Sequence, residues 1–163
     1  MAGYRGRPKA VNVGGSKQMI RPLSVVLLIA VGGSIAYAQS SGEKAIAERK
    51  ALMKEQSAAG REPTAMLKGE MPFDLAKVQA SLQKLQETSA KAKTLFPDDS
   101  KTGDTRALPV IWEKKAQFLA AFDKLNADAK AAAAAIKDEA TFKAEWGKVA
   151  ANCGACHKEY RKS

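Results

Sequence analysis

The sequence has one histidine and two cysteines in 163 residues, and all three lie between Cys153 and His157. That scarcity excludes a good deal. Two cysteines so close together allow one bridge around a trivial loop, so no disulfide framework holds the fold. A structural zinc site needs about four ligands in a tetrahedral array, and here only three candidates are crowded into five residues with no second cluster. Aromatic residues make up 6% of the chain and β-branched residues are sparse. There is no alternating strand pattern, Gly-rich phosphate loop or internal repeat. What remains is Ala, Lys, Glu, Leu and Gln, residues that lose little freedom in a helix. No apolar run is long enough to cross a bilayer, which takes about 20 residues.

The first 21 residues contain Arg5, Arg7, Lys9, Lys17 and Arg21 but no acid. A short apolar or small stretch, Leu23 to Ala36, follows and ends in Ala36-Tyr37-Ala38. A basic n-region, a short apolar core and an Ala-x-Ala end define a secretory signal peptide. Residues 1–38 are therefore expected to be removed in export, whether the chain starts at Met1 or Met19, leaving a domain over 39–163. The formal charge of +10 loses five basic residues and no acid with that segment, and falls to +5. Half of the apparent basicity belongs to the export signal, and no aromatic-interleaved basic stripe remains to suggest nucleic acid.

The mature chain divides into four amphipathic segments. The first runs from about Glu43 to Met66, with Ile46, Arg49, Met53 and Ser57 on one stripe; Gly60 and Pro63 are expected to weaken its far end. Residues 68–72 read as a turn. Asp74 caps a second helix that carries Leu75, Val78, Leu82 and Leu85 and ends before Pro97. Residues 97–108 form a polar loop. Pro109 suits the first turn of a third helix, whose Ile111, Phe118, Phe122, Leu125, Ala129 and Ile136 repeat at helical spacing. Asp138 caps a fourth, with Phe142, Trp146, Val149, Cys153, Cys156 and Tyr160 inward. Trp112 and Trp146 read as core. The expected fold is all-α, an antiparallel four-helix bundle.

Cys153-Gly154-Ala155-Cys156-His157 is the c-type haem attachment motif. Two thiols one helical turn apart can each form a thioether with a haem vinyl group, and the next residue presents an imidazole to the iron from the same side. A redox Cys-x-x-Cys competes poorly, because such a pair sits at a helix N-terminus where the dipole favours thiolate, whereas this one lies near a C-terminus. The expected cofactor is one covalent haem c with iron ligand His157.

With these features the chain resembles the cytochrome c-prime family, the class II c-type cytochromes, across the whole mature segment. The matching landmarks are residues 49–53 (RKALM), 68–74 (KGEMPFD), 107–112 (ALPVIW), and Cys153 to His157 followed by Tyr160-Arg161. The resemblance implies that Met53 occupies the distal position over the iron, four residues after Arg49 on the same helix face. It further implies that Arg49 contacts a haem propionate, that Arg161 lies beside the proximal ligand, and that members often dimerise through their first two helices. Arg49 and Arg161 also admit plainer readings, a solvated charge on the helix and a frayed terminal charge.

The stretch Leu52-Met53-Lys54 is similar to the six-coordinate low-spin members, in which a methionine is the sixth ligand and the protein carries electrons; His/Met ligation is the usual carrier arrangement. The alternative is a five-coordinate member binding nitric oxide or carbon monoxide, with Met53 filling space as an ordinary core residue. An enzyme such as a haem peroxidase is disfavoured, since a single histidine leaves none for distal acid–base chemistry. The expectation is a periplasmic one-electron carrier that turns over no substrate and binds neither nucleic acid nor, after cleavage, membrane. Its partners are redox proteins; Lys158, Arg161 and Lys162 around the expected haem edge admit two readings, steering of an acidic partner or, more simply, a charged surface end.

Overall fold

The computed structural model describes residues 40–163; the expected signal peptide, 1–38, and its cleavage point lie outside them. The helices in chain order are α1 (Ser41–Leu67), α2 (Leu75–Ala92), α3 (Val110–Glu113), α4 (Lys115–Ala135) and α5 (Glu139–Tyr160), with a 3-10 turn at Asp98–Ser100. The fold is all-α, and α1, α2, α4 and α5 form an antiparallel four-helix bundle.

Local chemistry sets most of the boundaries. Ser40 caps α1 in a capping box with Glu43, and Asp138 does the same for α5 with Thr141, each satisfying backbone donors that the first turn leaves orphaned. Asp74 accepts from the Lys77 N–H to start α2. Gly69, with φ of 74°, makes the left-handed turn that releases the chain from α1.

One boundary differs from the sequence expectation, and one expected weak point is held by packing. Pro63 lies inside an unbroken α1, although an interior proline costs roughly 3 kcal/mol. Packing offsets that cost: Pro63 and Met66 are buried, and Thr64 accepts a hydrogen bond from Trp146 Nε1 at 3.4 Å. The third helix, in contrast, does not run continuously from Pro109. It breaks at Lys114 (φ −113°, ψ 40°), with Pro109 just ahead of the one-turn α3. The break lets Ile111 enter the core while the Trp112 indole N–H reaches the Pro97 carbonyl at 3.1 Å.

The interior falls into two clusters. One is mainly aliphatic and lies toward the α1–α2 and α4–α5 turns; it includes Met66, Val78, Leu82, Leu125, Ile136, Phe142, Trp146 and Val149. Val78 and Leu82 are 0% exposed, and each such side chain contributes roughly 1.5–3 kcal/mol by leaving water. The other is aromatic, built on Phe96, Phe118, Phe122 and Tyr160 with Ala92 and Ile111. Its rings meet edge to face, Phe96 and Phe118 at 4.5 Å and Phe118 and Tyr160 at 5.0 Å. This second cluster positions the site.

Candidate haem site

The last turns of α5 carry Cys153, Cys156 and His157, all half-buried, with both cysteines unbridged. Cys156 packs on the aromatic cluster. Burial raises the Cys153 thiol; burial, together with the charges of Cys153 and Glu159, pushes Cys156 up to about 11. Neither sulfur is thus primed as a thiolate nucleophile, in keeping with a position at the negative end of the helix dipole. Burial also lowers the His157 imidazole, and the Arg161 and Arg106 guanidiniums lower it further. A neutral imidazole is the form that offers a lone pair to a metal.

The end of α5 is fastened rather than frayed. Residues 106–108 pair antiparallel with 160–162: Leu108 N–H donates to the Tyr160 carbonyl at 3.0 Å, Lys162 N–H to the Arg106 carbonyl at 2.8 Å, and Ala107 bridges Arg161. Arg106 closes the pairing by donating to the Lys162 carbonyl at 2.9 Å. Arg161 remains exposed at its side chain, but its backbone holds it one turn beyond His157. Sequence reading missed this clasp because a single bridge has no periodicity to reveal it.

Across the bundle, Met53 on α1 packs on the same aromatic cluster as Cys156. The two elements carrying the expected axial ligands therefore converge on one region. Arg49, one turn before Met53, is only 5% exposed, which rules out the solvated reading. Its Nη1 donates to the Leu95 carbonyl (3.3 Å) and Ser100 Oγ (2.9 Å), and its Nη2 to the Ser100 carbonyl (2.9 Å) and Thr105 Oγ1 (2.7 Å). The guanidinium lies over Phe96 at 4.9 Å and Trp112 at 5.8 Å. Burial lowers its pKa, yet an arginine stays charged, and among the described residues it pairs with no carboxylate. Arg49 thus clamps the loop over residues 95–105 to α1, a role its sequence context did not reveal.

The inward stripe of α1 also differs from expectation. Ser57 faces solvent; the helical repeat instead brings in Gln56, whose amide nitrogen is buried without a hydrogen-bond partner among the described residues. Leaving such a donor unsatisfied costs about 1–3 kcal/mol. Helix α5 meets α1 along the sparsest of the four helix–helix seams. A haem fits this donor set: thiols and an imidazole on one side of a loose seam, a thioether on the other, aromatic packing around both, and a polar atom lacking an acceptor.

An all-α bundle with a haem-attachment motif on its last helix is the architecture of a class II c-type cytochrome. The family described as Cytochrome C' matches residues 44–161, and the chain belongs to that family. It is 48% identical over 143 residues to cytochrome c' of Rhodopseudomonas palustris, covering 87% of this chain and 96% of that protein. It is 35% identical over 126 residues to cytochrome c-556 of Agrobacterium fabrum, covering 77% and 83%. The solved cytochrome c' from R. palustris superposes with a TM-score of 0.72 at 50% identity, covering 77% of this chain and 98% of that one. The cofactor is covalent haem c.

Proposed function

We propose that the protein is a periplasmic one-electron carrier with His157 as proximal and Met53 as distal iron ligand. The observation that carries this reading is the convergence of Met53 and Cys156 on one aromatic cluster from two neighbouring helices. Cys153 and Cys156 hold the porphyrin by two thioethers one turn apart. His157, kept neutral by burial and two neighbouring guanidiniums, offers its lone pair on the same side. Haem, when bound, supplies a ferric/ferrous couple, and a soft thioether opposite an imidazole raises its potential.

Arg49 brings a buried positive charge with no carboxylate partner among the described residues, suited to a propionate, with its Nε–H outside the four loop contacts. Arg161 sits beside the proximal side. Electrons pass and no substrate is turned over, so the protein is a carrier and not an enzyme.

Export through the 1–38 signal places it in the periplasm, and no helix among the described residues is long and apolar enough to cross a membrane. Its partners are redox proteins presenting acidic surface to Lys158, Arg161 and Lys162. A second copy of the chain is a further partner, supported by the groove between α1 and α2, where Ala58, Ala59, Ala80 and Ser81 lie among the charged Glu55, Glu62, Lys77 and Lys84.

The second reading, a five-coordinate gas-binding protein, is favoured by the 48% identity to a relative named cytochrome c'. Absorption spectra of the oxidised, reduced and carbon monoxide-treated protein separate the two. Six-coordination gives a sharp, split reduced spectrum indifferent to carbon monoxide, and Met53→Ala then opens a site. A broad high-spin spectrum that shifts at once with carbon monoxide would sink the assignment of Met53.

A further inference from the structure

We infer that Gln56 is a hydrogen-bond donor built into the α1 side of the iron site, aimed at the terminal atom of a diatomic ligand held there. The inference rests on the haem placement proposed above, not on ligation by Met53. Gln56 lies three residues beyond Met53, which packs on the aromatic cluster, and three before Ala59, which packs on the aliphatic one. The amide therefore stands where the two clusters meet, with an apolar side chain one turn away in each direction.

Other polar groups inside the bundle are answered by protein atoms. Thr88 donates to the Lys84 carbonyl at 2.7 Å, Ser89 to the Gln86 carbonyl at 3.0 Å, Ser100 to the Pro97 carbonyl at 2.8 Å, and Arg49 spends four N–H groups on the 95–105 loop. Gln56 Nε2 alone among the described residues is a buried side-chain polar atom with no partner. Leucine or methionine would fill the position without that penalty. The Met53 thioether does not take the proton, since no hydrogen bond to it forms. A carboxamide in an otherwise apolar seam is a neutral donor, and it suits a neutral diatomic better than a charged anion, which would lose its hydration without a counter-charge.

The test uses the reduced holoprotein carrying Met53→Ala, to open the site, with carbon monoxide as the probe. A donor near the ligand's oxygen lowers the C–O stretching frequency. Adding Gln56→Leu should move that band upward, abolish its sensitivity to deuterium exchange, and speed carbon monoxide release by roughly two- to tenfold, the range for one net hydrogen bond. An unchanged band and release rate would overturn the inference, as would the absence of carbon monoxide binding in both proteins.

Stability supplies a second readout. Without gas, Gln56→Leu should leave the urea midpoint unchanged or raise it, because it removes an unanswered donor. A lower midpoint would mean that water or protein already satisfies the amide, and the inference would fall. If the parent and Met53→Ala proteins bind carbon monoxide alike, ligation by Met53 fails while the comparison at Gln56 still decides.

Discussion

The two ends of the bundle are built on different terms. The aliphatic end, around Val78, Leu82, Phe142, Trp146 and Val149, is complete in itself: its few polar groups, such as the Trp146 indole, find protein partners. The aromatic end, around Phe96, Phe118 and Tyr160, leaves things unfinished. It holds unbridged thiols, an imidazole depressed by burial and an arginine without a carboxylate among the described residues, and the unanswered Gln56 amide lies at its border with the aliphatic end. A buried donor without an acceptor is costly inside a protein, and beside the attachment motif this one marks the end of the bundle that accommodates the cofactor. The contrast separates a region that folds the chain from a region that folds around something.

That division can be broken experimentally. The largest effect should come from replacing both Cys153 and Cys156 with Ala: covalent haem is lost outright, read as absence of haem mass and haem stain after denaturation. If haem stayed attached, the assignment of the motif would be wrong. Next, Leu82→Ala at the aliphatic end, where the side chain is fully buried, should cost roughly 2–5 kcal/mol in urea unfolding yet leave the haem spectrum unchanged. A spectral change would show that the two ends are not separable.

Arg49→Ala should have the smallest effect of the three, about 2 kcal/mol from its charged hydrogen bonds, with proteolysis appearing first in the 95–105 loop. Arg49→Lys should not rescue it, since a lysine cannot span four acceptors as the planar guanidinium does. Full rescue by lysine would reduce the clamp to a simple charge.

The parts legible in the sequence share one property: their determinants are contiguous. Asp74 and Asp138 announce their helices because a capping carboxylate and the backbone N–H that donates to it lie three residues apart, and Cys153 to His157 can be read from five letters. The illegible parts depend on residues brought together by folding. The loop residues that engage Arg49 lie 46 to 56 positions away, and nothing near Arg49 announces them. The 3.6-residue repeat allows either Ser57 or Gln56 after Met53, and only the folded bundle decides for Gln56. The break at Lys114 was hidden because Ile111 and Phe118 fit a continuous helix as well as an interrupted one. At Pro63 the local cost is legible, while the tertiary burial that offsets it is not.

The clasp between residues 106–108 and 160–162 has a consequence for how the molecule opens. It ties the α4–α5 hairpin into a closed loop fastened at its base, and Cys153, Cys156 and His157 all lie within that loop. Met53 lies outside it, on α1, across the sparsest seam. Partial unfolding follows cooperative units of unequal stability, so this seam can part, with α1 still held on α2, while the fastened hairpin stays intact. Amide hydrogen exchange should then reveal two tiers, with α1 exchanging through a sub-global opening that spares α5. The proximal and distal halves of the site would belong to different units, one permanent and one able to breathe.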